Sequence, residues 1–320
     1  MDKTIDVSVY CLAYNHEKYI RKCLDGFVMQ KGVRFEAIVH DDASMDNTAE
    51  IIREYAQKYP DIIKPICQKE NQYSKGINIR DTYILPAASG KYLAICEGDD
   101  YWTDPYKLSK QFDYMEKHPQ CGICVHEAVK HNCSTGADSL VTGEDCERDY
   151  SVDEIIIAGG GIFATNSAMV KMDDIRELPE CFQAKGFGDY QLFMYGAIMG
   201  TCHYLPDSMS VYNCGTEGSW TMRVQKNREK RIDTYREMVR MLRAVDAYYD
   251  QKYHQPISKK TRDIEFKLNV SEGKFFQTIS PRYKESFRAM RLRGENPLKE
   301  CIAVKMSWLR HIKRKILNGK

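Results

Sequence analysis

The stretch "YLAICEGDDYW", residues 92 to 102, decides how this sequence folds. An apolar run that ends in three carboxylates, Glu97, Asp99 and Asp100, and then in two large aromatics reads as a buried strand whose carboxyl end opens on a polar crevice. Carboxylates this close repel one another and lose hydration when buried, so a compensating cation is expected beside them.

Outward from that stretch the same grammar repeats. "IDVSVYCLA" is a short β-rich run, and in "NHEKYIRKCLDGFVMQ" after it Ile20, Leu24, Phe27 and Val28 recur at helical spacing. "FEAIVHDDAS" is a second strand with an acidic end. Asn47, with Glu50 three residues on, reads as a capping box opening the helix "TAEIIREYAQKY". "IKPICQ" gives a third strand, a polar loop and a helical stretch through "GINIRDTYILPAASG" follow, and "KYLAICE" is the fourth. Strands alternating with helices predict a largely parallel α/β sheet, in which ligands bind beyond the carboxyl ends of the strands. "AYN", "DDAS" and "EGDD" each follow a strand, so three polar clusters are expected to converge on one crevice. Asp104 and Pro105 begin a helix with Leu108, Phe112 and Met115 on its inner side. Residues 120 to 215 read as mixed strands and loops, including Gly159-Gly160-Gly161 and "GFGDYQLFMYGA", and from 222 onward the chain reads as helical and basic.

At 320 residues, 43% apolar and 29% charged, the chain can bury a full core and is not a disordered sequence. Its net charge of +2 conceals an asymmetry: residues 1 to 220 hold 21 basic against 34 acidic side chains, and residues 221 to 320 hold 26 against 11. The N-terminal "MDKTIDVSVYCLAYNHEKY" is punctuated by charge and no apolar run approaches the ~20 residues of a membrane span, so a cytoplasmic location is expected. The twelve cysteines are scattered, many within apolar runs, and read as free buried thiols. Cys121 and Cys124, with His126, His131 and Cys133 after them, could supply zinc ligands, although "GICVHEAV" also reads as an ordinary strand.

Each acidic cluster has a purely structural reading beside the chemical one. Asp41 and Asp42 can cap a turn with Asp46 starting a helix, or a carboxylate there can meet a ligand's ring nitrogen or ribose, with Tyr14 stacking on a base. Three carboxylates in four residues exceed what a helix cap needs, and Mg²⁺ or Mn²⁺, which take one or two carboxylates plus phosphate oxygens, fit them. Asp189, after Gly188, reads on pattern alone as a helix N-cap.

The stretches "VSVYCLAYNHEKYIRKCLDGFVMQ", "FEAIVHDDASMDNTAEII", "SGKYLAICEGDDYWTDPYKL" and "GFGDYQLF", in this order, carry a resemblance to the family 2 glycosyltransferases over about residues 5 to 215. The resemblance implies the GT-A fold, a nucleotide-binding α/β sheet joined to an acceptor-binding half: residues 1–221 as the transferase domain (1–118 nucleotide-binding, 119–221 acceptor-binding) and 222–320 as a helical basic extension. It implies a metal-dependent inverting transfer of a sugar, hexosyltransferase type, from a nucleotide-diphosphate donor of UDP type to a hydroxyl of a glycan or lipid-linked glycan in bacterial surface-polysaccharide synthesis. It places Ala13, Tyr14, Asn15, Asp41, Asp42, Arg80 and Asp99 at the nucleotide, Asp100 with Asp99 at Mn²⁺ or Mg²⁺, Asp189 as the catalytic base, and Glu97, Trp102 and Trp220 at the donor or acceptor pocket. Two departures stand out. Glu97 followed by glycine replaces the usual aspartate, and Asn213 in "VYNCGTEGSW" replaces a basic residue that many members carry.

Two other functions compete. A sugar nucleotidyltransferase would carry a glycine-rich phosphate loop after its first strand, where this chain has "CLAYNHEKY"; a non-catalytic nucleotide-sugar-binding protein would explain Glu97 and Asn213 as decay of the site. The basic segments "KNREKR", "KKTR", "RLR" and "RHIKRK", with Ile302, Met306, Trp308, Leu309 and Ile316 near the end, read either as a solvated bundle or as a peripheral contact with the anionic inner face of a membrane. No aromatic-interleaved motif points to nucleic acid.

Overall fold

The computed structural model describes residues 4–183, 188–216 and 219–306, with the backbone alone for Trp220 and Gln225. The four apolar runs of the first hundred residues become β1 (Val7–Ala13), β2 (Phe35–Asp41), β3 (Ile63–Cys67) and β4 (Tyr92–Ile95), all parallel in the order β3-β2-β1-β4. Every position of β2 and β4 is buried, as expected for strands covered on both faces. Between them run α1 (Ile20–Val28), α2 (Thr48–Lys58), and a π-helical turn over Arg80–Ile84 that leads into α3 (Leu85–Ala87). Ile20, Leu24 and Phe27 of α1 are fully buried with Val7, Val9 and Cys11 of β1 in one core, which is how the helical apolar stripe and the strand come to share an interior.

Beyond β4 the sheet becomes mixed. β5 (Tyr101–Trp102), α4 (Lys107–Lys117), β6 (Cys121–Asn132), β7 (Asp138–Leu140), β8 (Arg148–Tyr150), α5 (Val152–Ala158), β9 (Met169–Lys171), α6 (Met172–Arg176), α7 (Gly188–Met199) and β10 (Thr201–Cys214) follow in the chain. The sheet continues past β4 as β9-β6-β10-β5, with β9 antiparallel to both β4 and β6, β10 parallel to β6, and β5 antiparallel to β10. The class is therefore mixed α/β, with a parallel half that brings β1, β2 and β4 side by side.

The described residues divide into two compact units, residues 1–179 with 189–216, and residues 180–188 with 217–320. The described residues 180–183 and 188 belong to the second unit, a placement for which the sequence carried no signal. The second unit holds α8 (Trp220–Lys226), α9 (Arg228–Tyr248), α10 (His254–Glu272), α11 (Phe275–Thr278), α12 (Lys284–Leu292) and a further helical stretch over 297–306. Its small core joins Phe266, Val270, Tyr283, Met290 and Cys301.

Three sequence expectations change here. Asn47 stands at the N-cap of α2 but makes no cap bond with its side chain; its amide donates instead to Glu17 Oε1 at 2.7 Å, and Asp46 takes the Thr48 backbone N–H. The capping box is at Ser151 and Glu154, heading α5. Trp102, expected at a ligand pocket, is 2% exposed: its indole N–H donates to the Asn166 carbonyl at 2.9 Å and its ring packs on Phe27. The cysteines at 121 and 124 are buried with their thiols pushed up by burial, Cys121 to about 11, which disfavours the thiolate that binds zinc; His131 is engaged by Asp138 at 2.6 Å. Among the described residues no helix is long and apolar enough to cross a membrane.

Candidate active site

The three strand ends meet through main-chain bonds. The Gly98 N–H donates to the Leu12 carbonyl at 2.7 Å, the Cys96 N–H to Tyr10 at 3.0 Å, and the Asp42 N–H to Ala13 at 3.0 Å, so the turns after β1, β2 and β4 form one rim. Gly98 is needed for this closeness: a Cβ there would lie 2.9 Å from His16 Nδ1 and 3.1 Å from the Ala13 Cβ. The glycine that interrupts the acidic motif is therefore a packing requirement.

At the rim Tyr14 is 39% exposed, with its ring available to a planar ligand. Asn15, at a φ of +56°, accepts the Met45 N–H on its Oδ1 at 2.8 Å while its own N–H donates to Ser44 Oγ at 2.8 Å, a conformation that Asn tolerates better than most residues. Asp41 is buried and accepts from the Ser44 N–H at 3.1 Å and hydroxyl at 2.5 Å. Asp42 is also buried, and its two oxygens accept the backbone N–H groups of Gln72 and Tyr73 at 2.7 and 3.1 Å. The second-strand acids thus hold turns of the chain together at the rim, which is the structural half of the dual reading made from sequence. Arg80 is paired with Asp81 at 2.6 Å and only 16% of its side chain is exposed.

The acidic turn after β4 is tied to the end of β10. The Asn213 N–H donates to Asp100 Oδ1 at 2.8 Å, the Asn213 amide to the Asp99 carbonyl at 2.5 Å, and the Thr216 hydroxyl to Asp99 Oδ2 at 3.0 Å. Asp100 is 1% exposed, and burial, then the Asp99 charge, raises its carboxyl well above the ordinary range. Glu97 reaches solvent, yet protein crowds it closely enough that desolvation is the leading cause of a rise to about 8, with the charges of Asp99 and then Asp189 adding to it. Acidic side chains are concentrated here, and among the described residues none of Glu97, Asp99 and Asp100 has an ion pair.

Asp189 stands in the first turn of α7. It is half-buried, accepts its neighbour Tyr190's N–H at 2.7 Å, and sits against Gly160, where a Cβ would come within 2.9 Å of both its oxygens. Burial raises its carboxyl to about 6. The charge of Asp189 acts on Glu97 directly, which brings the head of α7 into the neighbourhood of the acidic turn.

Hard oxygen donors with surplus negative charge fit a hard divalent cation. Among the described residues no three or more His, Cys, Asp or Glu side chains close around a point, so the fit is to a metal that takes one or two carboxylates and completes its shell with phosphate and water, the habit of Mg²⁺ and Mn²⁺. Asp99 and Asp100 are the residues that would hold it.

Sequence reasoning missed three neighbours. His16 has its Nδ1 buried without a hydrogen-bond partner and its pKa lowered by burial, with Asp99, Asp46 and Asp41 pulling it back up. Its position next to "AYN" was the only signal. Thr216 and the structural role of Asn213 had none, because the contact spans more than 110 positions in the chain. Trp220 begins α8, and its side chain lies outside the described residues, as does Trp308.

Comparison with known proteins agrees with the fold. Residues 8–158 match the family model described as glycosyl transferase family 2. An uncharacterized Mycobacterium tuberculosis protein, Rv1520, is 38% identical over 217 residues, 67% of this chain and 60% of its own length; the chain thus spans about 60% of the length of that curated relative. The Escherichia coli UDP-Glc:alpha-D-GlcNAc-diphosphoundecaprenol beta-1,3-glucosyltransferase WfaP is 34% identical over 110 residues, 34% of this chain and 41% of its own. Among solved structures, residues 1–349 of Staphylococcus aureus TarS in complex with UDP superpose with a TM-score of 0.58 at 15% identity, covering 99% of this chain and 92% of that one. The superposition matches the GT-A arrangement of a parallel-rich sheet flanked by helices.

Proposed function

Since this chain belongs to glycosyl transferase family 2 through its residues 8–158, we propose that it is a metal-dependent inverting glycosyltransferase. In this reading it moves a sugar from a nucleotide-diphosphate donor, of UDP type, to a hydroxyl of a glycan or lipid-linked glycan acceptor. The observation that carries the proposal is the convergence of the turns after β1, β2 and β4 on one acidic rim, with Asp189 electrostatically coupled to it. The WfaP name, with its UDP-Glc and diphosphoundecaprenol, supports a UDP-sugar donor and a lipid-linked acceptor.

The Tyr14 ring stacks on the base, and the rim backbone at Ala13 and Asn15 borders the nucleoside. Asp99 and Asp100 would hold the cation, which would offset charge building on the departing diphosphate and orient it. Asp189 accepts the proton of the acceptor hydroxyl as that oxygen bonds to the anomeric carbon and the bond to the diphosphate breaks, so the attack proceeds with inversion. A carboxyl raised to about 6 is ionised at neutral pH and still basic enough to share a proton in the transition state. Glu97, raised to about 8 by burial and then by the charges of Asp99 and Asp189, holds its proton at neutral pH and so limits the charge repulsion within the turn.

Asp189→Asn tests the role of the base. Sugar transfer should fall on the order of 10²–10⁴-fold while donor binding stays within about threefold. The wild-type rate should rise as pH climbs through about 6 and then level, because the base works only when ionised, and that limb should be absent from the variant. Near-normal transfer by Asp189→Asn contradicts the assignment. Donor binding with Mn²⁺ but no turnover by the wild-type chain, with any acceptor or with water, favours the non-catalytic reading instead.

A further inference from the structure

The acidic turn is held from one direction by one strand end. Each of its two aspartates has one carboxylate oxygen committed to the segment that closes β10: Asp100 Oδ1 to the Asn213 N–H at 2.8 Å, and Asp99 Oδ2 to the Thr216 hydroxyl at 3.0 Å. The other oxygen of each, Asp99 Oδ1 and Asp100 Oδ2, makes no side-chain hydrogen bond among the described residues. The Asn213 amide pins the main chain between them by donating to the Asp99 carbonyl at 2.5 Å, and its own oxygen faces the Cys133 thiol at 3.9 Å. Thr216, Asn213 and Asp100 are all less than a tenth exposed, and Asp99 is half-buried.

A carboxylate with one oxygen tied to a protein donor presents the other in a fixed direction, and loss of such a supporting partner typically costs about 10–100-fold in metal affinity. We propose that Asn213 and Thr216 are positioning residues that leave Asp99 and Asp100 each one free oxygen, presetting a two-point site for a divalent cation that a diphosphate completes. This rests on the glycosyltransferase reading, and it assigns a use to Asn213 at the point where the sequence departs from the family pattern. A basic side chain at 213 could still donate to the Asp99 carbonyl, but it has no acceptor for the Cys133 thiol and would bring a positive charge beside the two aspartates. The work near the metal is therefore done by neutral donors, and the compensating positive charge is left to the cation.

The test is Mn²⁺ binding by the full chain in the presence of UDP, followed by the loss of free-Mn²⁺ paramagnetic signal, alongside UDP binding without metal. Thr216→Val should weaken Mn²⁺ binding by about 10–100-fold and leave metal-free UDP binding unchanged, and Thr216→Ser, which keeps the hydroxyl, should stay within about threefold of wild type. A purely structural role predicts that Thr216→Val and Thr216→Ser differ in melting temperature but not in Mn²⁺ affinity, and that result overturns the proposal. Should Thr216→Val not fold, Thr216→Ala is compared with Thr216→Ser by the same measurement, and equal Mn²⁺ affinities of the two overturn it. If the wild-type chain binds no Mn²⁺ with UDP present, the functional reading itself fails; if it binds and Thr216→Val binds equally, only the positioning roles fail.

Discussion

Ala43 adopts a φ of +62° in the turn after β2, a left-handed conformation that costs a residue with a Cβ roughly 1–2 kcal/mol and a glycine nothing. Strain of this kind persists where neighbours over-determine the backbone, and here Asp41 accepts from Ser44 on one side while Asp42 accepts from Gln72 and Tyr73 across the turn. Ala43→Gly should therefore raise stability by about 0.5–1 kcal/mol despite the freedom it returns to the unfolded chain, read as an increased denaturant midpoint; a drop would show that the turn relaxes in solution. At this scale the sequence was legible where chemistry is local. Three carboxylates after an apolar run announced an acidic cluster under strain, and Glu97, raised to about 8, answers that strain by holding its proton. It was not legible where the partner comes from elsewhere in the chain: no pattern near Trp102 says that Asn166 will take its N–H, and none near Asp99 points to Thr216.

Elements place these residues by close approach. Gly26 lets α1 lie on β5, since a Cβ there would be 2.9 Å from the Trp102 nitrogen, and Gly160 gives the loop after α5 room beside the head of α7. Gly160 matters for function because the atoms that fill its missing Cβ space are the two oxygens of Asp189. Gly160→Ala should push that carboxylate aside and lower kcat on the order of 10²-fold, with the donor's KM little changed, because a misplaced base costs the chemical step and not ground-state binding. Unchanged kcat would mean that the Asp189 side chain is free to move without penalty. The alternation of strand and helix over the first hundred residues could be read from hydrophobic period and turn residues alone. The antiparallel insertion of β9 between β4 and β6 could not, because its three residues, Met169–Lys171, are too few to establish a period.

Over the whole molecule the charge asymmetry maps onto the two units. In the second, Arg243 and Arg282 pair with Glu265, and Arg236 with Glu272, so part of the basic surplus ties its helices together. Lys284, Arg288, Arg291, Lys299 and Lys305 are exposed and have no ion pair among the described residues, and Phe276, Leu292 and Ile302 are exposed apolar side chains in the same stretch. That composition suits an anionic lipid surface, at about 1 kcal/mol per basic residue near it. Cutting the chain at 290 would remove Met290 and Cys301 from the small core, so the sounder test keeps the chain intact. Replacing Lys284, Arg288, Arg291 and Lys299 by Glu should abolish flotation with phosphatidylglycerol vesicles and leave the melting temperature within a few degrees; equal flotation removes the membrane contact. The basic tail itself was legible as composition, but its division between internal pairs and free charge depends on helix packing that a count of lysines and arginines does not contain.

All of these scales rest on a cation held between Asp99 and Asp100 and shared with a diphosphate, and crystals of the full chain soaked with UDP and MnCl₂ examine that directly. An anomalous manganese peak in contact with the free oxygens of both aspartates and with the diphosphate, with the base against Tyr14, is the predicted result. UDP bound elsewhere, or bound at this rim with Asp99 and Asp100 touching no ion, would contradict it.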